Sequence, residues 1–306
     1  AALSRRRSPV RIRSELPRTY EPPSGGSFCI YKARGAVRTA APKAPAASRV
    51  EHGRKGDMEF LIVCPLALVA GFVDAIAGGG GLISLPAYFF AGLPPHAAIA
   101  TNKLSSTLGT LVATVRYALF GYMVKRFVVA GVACGLVGSA IGANLALLAD
   151  ATVLTVVMLV ALPPVAFLVF RSKNLDRFAE HPLPPRRALA ATALIALAVG
   201  VYDGFYGPGT GTILMLLLAA MAHQDVRTAA GTTKAINLAT NVAALAVFLV
   251  NGAVLIPLGL AAAAFNIAGN WLGSTFFDKK GALILRPIML VVIVLFAIRL
   301  VTDLLA

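Results

Sequence analysis

Residues 71–82 read GFVDAIAGGGGL and residues 200–211 read GVYDGFYGPGTG, and this repeated stretch decides the fold. In both copies an apolar segment that contains one aspartate, Asp74 or Asp203, runs directly into a cluster of glycines. Because glycine has no Cβ, such a cluster lets a helix unwind at membrane depth, where loosened backbone is tolerated only against protein or a water-filled cavity. The pattern predicts one broken membrane helix in each half of the chain.

The repeat extends well beyond the glycine clusters. Equivalent residues lie 129 positions apart around the clusters and 131 positions apart after them. The pairs are Gly71/Gly200, Asp74/Asp203, Gly78/Gly207 and Gly80/Gly209, then Thr101/Thr232, Lys103/Lys234, Gly121/Gly252, Gly138/Gly269 and Gly142/Gly273. A spacing that persists over this length indicates an internal duplication with a two-residue insertion or deletion.

The composition is that of a membrane protein. Hydrophobic residues make up 58% of the chain and charged residues 13%, against roughly 25% charged in soluble domains. Because a membrane helix needs about 20 apolar residues, the apolar segments predict an all-α, polytopic membrane protein. These segments are 59–77, 82–93, 97–120, 127–149 and 151–170, followed by 188–206, 211–222, 228–250, 254–276 and 282–304.

Residues 1–57 differ from the rest of the chain. They are rich in Arg, Ser, Pro and Ala and show no helical or strand period, so we expect this basic extension to be disordered. Two explanations stay open: an organellar transit sequence, and a start site assigned upstream of a native start at Met58. The net charge of +15 is better explained by loops that face anionic lipid than by nucleic acid, which we do not expect as a partner.

The loop charges predict the orientation of the two halves. Lys125 and Arg126 follow the third segment, and residues 171–187 contain five more arginines and lysines, which places both loops in the cytoplasm. In the second half the third segment is followed by an uncharged loop, 251–254, and the fourth by Lys279 and Lys280. Equivalent loops on opposite sides predict inverted repeats, with repeat 1 at 58–170 and repeat 2 at 188–306.

Four charged residues lie inside apolar segments, namely Asp74, Asp203, Lys103 and Lys234. A charge at membrane depth is costly, so a functional or paired role is the first hypothesis. The alternatives are that the lysines extend to the membrane surface and that the aspartates cap the broken helices. For the lysines we favour function, because hydroxyl and amide groups adjoin them.

Helices that restart after the glycine loops would direct unpaired N–H groups into the cavity, and such helix starts attract anions. We therefore expect an anion site from the loop glycines, the lysines and their polar neighbours: Gly78, Gly79, Gly80, Thr101, Asn102, Lys103, Gly207, Gly209, Thr232, Thr233, Lys234 and Asn237. Asn241 is a further polar candidate for the path. For Asn266 and Asn270 we favour hydrogen bonding between helices.

Residues 71–82, together with ATNK at 100–103 and GTTK at 231–234, resemble the sulfite exporter TauE/SafE family. The resemblance covers about residues 58–306 and is strongest to the YfcA-like branch. It implies a duplicated inner-membrane permease that moves sulfite or organosulfonates. The second repeat departs from the first at Pro208, Thr210 and Thr233, so the two half-sites need not contact the substrate equally.

We therefore predict a secondary transporter for a small anion that works by alternating access between the two repeats, with Asp74 or Asp203 carrying a coupling proton or ion. A passive anion channel would share the same lining and stays an alternative. An intramembrane aspartyl enzyme is a weaker alternative, since both aspartates would have to meet. We expect no cofactor and no metal, because the cysteines lie far apart without ligands at metal-binding spacing.

Overall fold

The computed structural model describes residues 46–171, 183–276 and 302, and within these ranges it contains helices and no strand. This confirms the predicted all-α class for the part described. The helices are α1 Ala46–Ala77, α2 Gly81–Phe90, α3 Pro95–Leu119, α4 Lys125–Leu148, α5 Ala151–Arg171, α6 Pro185–Phe205, α7 Thr210–Ala222, α8 Val226–Val250 and α9 Ile256–Thr275.

Each of these helices coincides with a predicted apolar segment to within a few residues, except at the start of α1. That helix begins at Ala46 instead of near Met58, so residues 46–57, which we expected to be disordered, are helical. Extending an existing helix is much easier than starting one, and this stretch contains Ala, Arg, Glu and Lys, which favour helix. The remaining predictions for 1–45 and 172–182 lie outside the described residues, as does the tenth segment at 282–304 apart from residue 302.

The helix breaks lie at the two glycine clusters. Gly78 has a φ of +70°, and Gly207 and Gly209 have φ of +98° and +78°. Only glycine adopts this left-handed region without a steric penalty, so the sequence ends α1 and α6 at these points. The helices that follow are short, with 10 residues in α2 and 13 in α7, fewer than the roughly 20 that cross a bilayer.

The two sequence repeats interleave. The most extensive helix contacts join α1 with α9 and α4 with α6, so the first helix of each repeat packs on the fourth helix of the other. Glycines allow this: a Cβ on Gly142 would collide with the Val201 carbonyl oxygen, and one on Gly273 with the Phe72 carbonyl oxygen. Small residues bring membrane helices into backbone contact in this way.

Two helix bundles result. We call α1, α2, α3 and α9 the first bundle, and α4, α6, α7 and α8 the second; α3 and α8 form the main helix contact between them. These two helices run antiparallel, because Lys103 near the start of α3 reaches Asn241 in α8, while Thr114 further along α3 reaches the carbonyl of Lys234 near the start of α8. Equivalent helices that run antiparallel agree with inverted repeats.

The surface of the described helices suits lipid. Four segments are long and apolar enough to cross a membrane: Met58–Ala77, Lys125–Leu148, Pro185–Phe205 and Val226–Val250. Large apolar side chains such as Leu119, Leu148 and Val250 are exposed, while many polar side chains lie buried between the helices. In water this arrangement would be unfavourable, whereas in hydrocarbon it is expected.

Candidate functional site

The two glycine loops contact each other. A Cβ on Gly78 would lie 2.6 Å from the Thr212 nitrogen, and one on Gly211 would lie 2.6 Å from the Gly78 Cα. Beside this contact, a Cβ on Gly81 would lie 3.0 Å from the Pro208 Cα. The loops can approach this closely only because glycine occupies these positions, and the approach places the loop after α1 against the start of α7 and the first residue of α2 against Pro208.

Each intramembrane lysine forms an ion pair with the aspartate of the other repeat. Lys103 Nζ lies 2.8 Å from Asp203 Oδ2, and Lys234 Nζ lies 2.9 Å from Asp74 Oδ2. The exposed fraction is 2% for Lys103, 3% for Lys234, 2% for Asp203 and 9% for Asp74. The lysines therefore do not extend to the membrane surface, and the four charges cancel within the site.

Neutral groups hold the ion pairs in place. Lys103 Nζ donates to Asn241 Oδ1 at 3.0 Å, and the Thr210 hydroxyl donates to Asp203 Oδ1 at 2.7 Å. Lys234 Nζ also donates to the backbone carbonyl of Asp74. The aspartates are thus partners of the lysines and not helix caps, since the N-cap positions Gly80 and Gly209 have no side-chain cap.

Side chains also satisfy backbone carbonyls where the helices break. The Tyr117 hydroxyl donates to the Ala75 carbonyl at 2.8 Å, and the Thr212 hydroxyl donates to the Ala77 carbonyl at 2.6 Å. The last carbonyls of a helix have no partner inside the helix, and in hydrocarbon each unpaired group is costly. These bonds therefore fix the end of α1 next to the ion pair of Asp74.

A cavity of about 410 Å³, including its open mouth, lies beside the ion pairs. The lining is almost entirely polar or glycine: Asp74, Gly78, Gly80, Gly81, Ser84, Asn102, Lys103, Ser106, Thr110, Asp203, Gly207, Thr210, Gly211, Asn237, Asn241 and Asn266. The Ser84 hydroxyl and the Asn102 amide oxygen are buried in this lining, and neither has a hydrogen-bond partner among the described residues.

A second, smaller cavity of about 200 Å³ lies beside the other lysine. Its lining is mainly apolar and includes Tyr117, Met215, Thr233 and Lys234, together with Gly78 and Gly211 of the loop contact. Because Gly78 and Gly211 line both cavities, the loop contact separates the two spaces. Lys103 and Lys234 therefore lie on different cavities, although they occupy equivalent positions in the sequence.

The predicted site residues divide into three groups. Eight of them, counting both aspartates, line the larger cavity: Asp74, Gly78, Gly80, Asn102, Lys103, Asp203, Gly207 and Asn237. Thr233 and Lys234 line the smaller cavity. The other four, Gly79, Thr101, Gly209 and Thr232, line neither of these cavities; the Thr101 hydroxyl instead accepts from the Leu255 backbone N–H at 3.0 Å.

Several lining residues were not in the predicted site. Ser106 and Thr110 lie one and two turns after Lys103, at positions equivalent to Asn237, which was in the predicted site, and to Asn241, which was named as a further candidate. Helical spacing from the lysines would have found them. Asn266 also lines the cavity while its amide donates to the Ala67 carbonyl at 3.3 Å, so it contributes both to the site and to helix contact.

The geometry does not resemble an aspartyl enzyme, since each aspartate pairs with a lysine and not with the other aspartate. Within the described ranges no group of three or more His, Cys, Asp or Glu residues is arranged to hold a metal ion. The site holds two Lys–Asp ion pairs beside a polar cavity at the two glycine loops.

The sequence profile described as sulfite exporter TauE/SafE matches residues 63–300. The chain belongs to this family. Its relatives include the probable membrane transporter protein ORF9 of a Sinorhizobium species, which is 36% identical over 80% of this chain and 93% of its own length. The probable membrane transporter protein YfcA of Escherichia coli K12 is 32% identical over 78% of this chain and 88% of its own length. No solved structure matches the chain significantly.

The family match and the membrane-spanning helices show that this chain is a multi-pass membrane transporter, as predicted. An inner-membrane location is consistent with both findings. A membrane transporter implies a small-molecule substrate and a lipid bilayer as its surroundings. The resemblance stated from the glycine, Thr-Asn-Lys and Thr-Thr-Lys motifs is confirmed.

Proposed function

We propose that this chain is a secondary transporter for a small anion of the sulfite or organosulfonate class. The observation that carries the proposal is the pair of buried Lys–Asp bridges beside a polar cavity, at the point where two broken helices meet. Buried ionisable groups of this kind mark substrate and ion pathways in membrane proteins.

The chemistry of the cavity suits an oxyanion. Lys103 supplies a cation, and Gly81 and Gly211 place the starts of α2 and α7 at the lining, where the positive end of each helix dipole favours negative charge. The Ser84 hydroxyl lacks an acceptor among the described residues, so it offers a further donor. Sulfite and sulfonates carry several oxygens on one sulfur atom and can accept hydrogen bonds from several donors that point into one cavity.

The helix packing changes the expected mechanism. We predicted that repeat 1 moves against repeat 2, but such a motion would separate the backbone contacts of α1 with α9 and of α4 with α6. Alternating access is more readily achieved between the first and second bundles, whose contacts are α3 with α8, the glycine loops and the two ion pairs. A passive channel is less favoured, because the contact of Gly78 with Gly211 closes the route between the two cavities.

The charges of the described loops support an orientation. Lys125, Arg126, Arg186, Arg187 and Arg227 lie at the starts of α4, α6 and α8, and these starts lie at one end of the bundles because the packed helices run parallel. Basic loops favour the cytoplasm. The starts of α3 and α9 then face the outside.

Transport of radiolabelled sulfite and of methanesulfonate into proteoliposomes tests the proposal. We expect saturable uptake by the wild type and loss of most uptake in the Lys103→Ala, Lys234→Ala double variant. Lys125→Ala, an exposed lysine at the start of α4, is the matched control and should transport normally. Undiminished transport by a folded double variant would refute the site, and absence of uptake by the wild type would refute the substrate class.

A further inference from the structure

The buried charges of the site sum to zero, and this limits what can bind. Two lysines face two aspartates, and all four side chains are almost completely buried. An anion that entered beside them would add a negative charge without a counter-ion to a poorly solvated interior, which is unfavourable. A proton taken up by one aspartate removes this excess charge, so anion binding and aspartate protonation should favour each other.

Asp203 is better placed than Asp74 to accept this proton. Both members of the Lys103–Asp203 pair line the larger cavity, whereas Lys234 lines the smaller one. Lys234 also donates to the backbone carbonyl of Asp74, so it keeps a partner if that carboxylate is neutralised. Neutralising Asp203 would leave Lys103 with the Asn241 amide oxygen as its neutral acceptor, and its unpaired charge would then lie in the polar cavity.

Among the described residues around Asp203, Lys103 is the charged group that faces its carboxylate. The Thr210 hydroxyl of α7 donates to its other oxygen, and Asn241 of α8 accepts from Lys103. From α4, the positions packed on this part of α6 are Ser139 and Ala143, neither of which is charged. On α6 itself, Tyr202 donates its hydroxyl to the Pro208 carbonyl. The second pair of Lys234 and Asp74 is already neutral within itself.

We propose, on the basis of the proposed function, that the chain cotransports one proton on Asp203 with one monoanion on Lys103. The Asp203 carboxylate gains a proton and becomes a neutral acid, which breaks its ion pair. The Lys103 ammonium keeps its protons and pairs with the anion. On the other side of the membrane the anion and the proton leave, and the original ion pair forms again. One positive and one negative charge move in the same direction, so the cycle is electroneutral.

Methanesulfonate in proteoliposomes is the probe, because it stays a monoanion across the useful pH range. With an acidic outside, we expect the wild type to accumulate labelled methanesulfonate and to acidify the lumen, measured with a trapped pH dye. Asp203→Asn should lose accumulation at least tenfold, and any methanesulfonate uptake that remains should no longer acidify the lumen. Asp225→Asn neutralises an exposed carboxylate at the start of α8 and should change neither activity.

A second measurement stays informative if Asp203→Asn fails to fold. A potassium diffusion potential applied to wild-type proteoliposomes at equal pH should not drive accumulation of methanesulfonate. Accumulation driven by the potential would show net charge movement and would overturn the cotransport proposal. So would a folded Asp203→Asn variant that still accumulates under the pH gradient.

The outcomes distinguish this inference from the proposed function. If the wild type carries neither sulfite nor methanesulfonate under any gradient, the proposed substrate class is wrong and the cotransport proposal fails with it. If it carries methanesulfonate without proton movement, the transporter assignment stands and the role of Asp203 is wrong.

Discussion

Replacing one member of the Lys103–Asp203 pair should destabilise the protein, and replacing both should restore most of the stability. The charged atoms lie 2.8 Å apart, which corresponds to an attraction of about 6 kcal/mol at an effective dielectric constant of about 20. Removing the lysine alone leaves a buried carboxylate without its counter-ion, and changes of this kind cost about 3–5 kcal/mol. Replacing both residues removes the charges together with their desolvation cost, which is often nearly neutral.

The assay is unfolding in detergent, followed by the loss of helical circular dichroism, for Lys103→Met, Asp203→Leu and the double variant. We expect each single change to lower the unfolding free energy by about 3 kcal/mol or more, with a coupling energy of at least about 2 kcal/mol in the cycle. The control Lys125→Met should stay within about 0.5 kcal/mol of the wild type. Single variants as stable as the wild type, or a double variant that loses the sum of both effects, would refute the reasoning.

Three further predictions concern packing, capping and the cavity. Gly142→Ala should destabilise the protein by about 1–3 kcal/mol, because the added methyl group meets the rigid backbone of α6. The control Ala133→Val, on the exposed face of the same helix, should cost less than about 0.5 kcal/mol. Equal melting temperatures of the two variants would contradict this prediction. Asp225→Ala should cost about 1 kcal/mol at neutral pH, since Asp225 caps α8. Burial raises the pKa of Asp225, but hydrogen bonds from Thr228 and Arg227 together lower this pKa below its usual value. The cap therefore stabilises the protein above the ordinary carboxyl pKa, and this stabilisation is lost as the pH falls. A stability difference between the wild type and Asp225→Ala that persists at low pH would contradict the assignment. Ser106→Cys should react with a small thiosulfonate reagent more slowly when methanesulfonate is present, and unchanged labelling would place the anion elsewhere.

Much of the fold could be predicted because its determinants are local. The apolar segments predict the helices, and the glycine clusters predict the breaks. Gly78 and Gly207 adopt a positive φ, a conformation that glycine itself permits, so these breaks can be read from the local sequence. The antiparallel relation of α3 and α8 followed from loop charge, because Lys125 and Arg126 follow the third segment of repeat 1 whereas the equivalent loop 251–254 of repeat 2 is uncharged. The residues near each lysine could be found for the same reason, because they lie within two helical turns of it.

What could not be predicted depends on contacts between distant parts of the chain. The sequence showed four buried charges but not that Lys103 pairs with Asp203 and Lys234 with Asp74, each across the repeats. Loop hydropathy likewise gives no sign that α4 packs on α6 instead of on its own repeat. Both features depend on which glycine faces meet, and the repeated spacing of Gly138 and Gly269 fits several pairings of helices equally well.

The location of the ion pairs connects binding to movement. Lys103 belongs to the first bundle and its partner Asp203 to the second. In the other pair the aspartate, Asp74, belongs to the first bundle and Lys234 to the second, so each pair bridges the two bundles. A ligand changes a conformational equilibrium only through contacts that differ between the two states. Within each bundle, backbone packing at the glycines leaves little freedom, because close-packed interiors do not deform gradually. The contacts that can change are therefore few, and the ion pair at Asp203 is the one that an anion and a proton would both reach from the larger cavity.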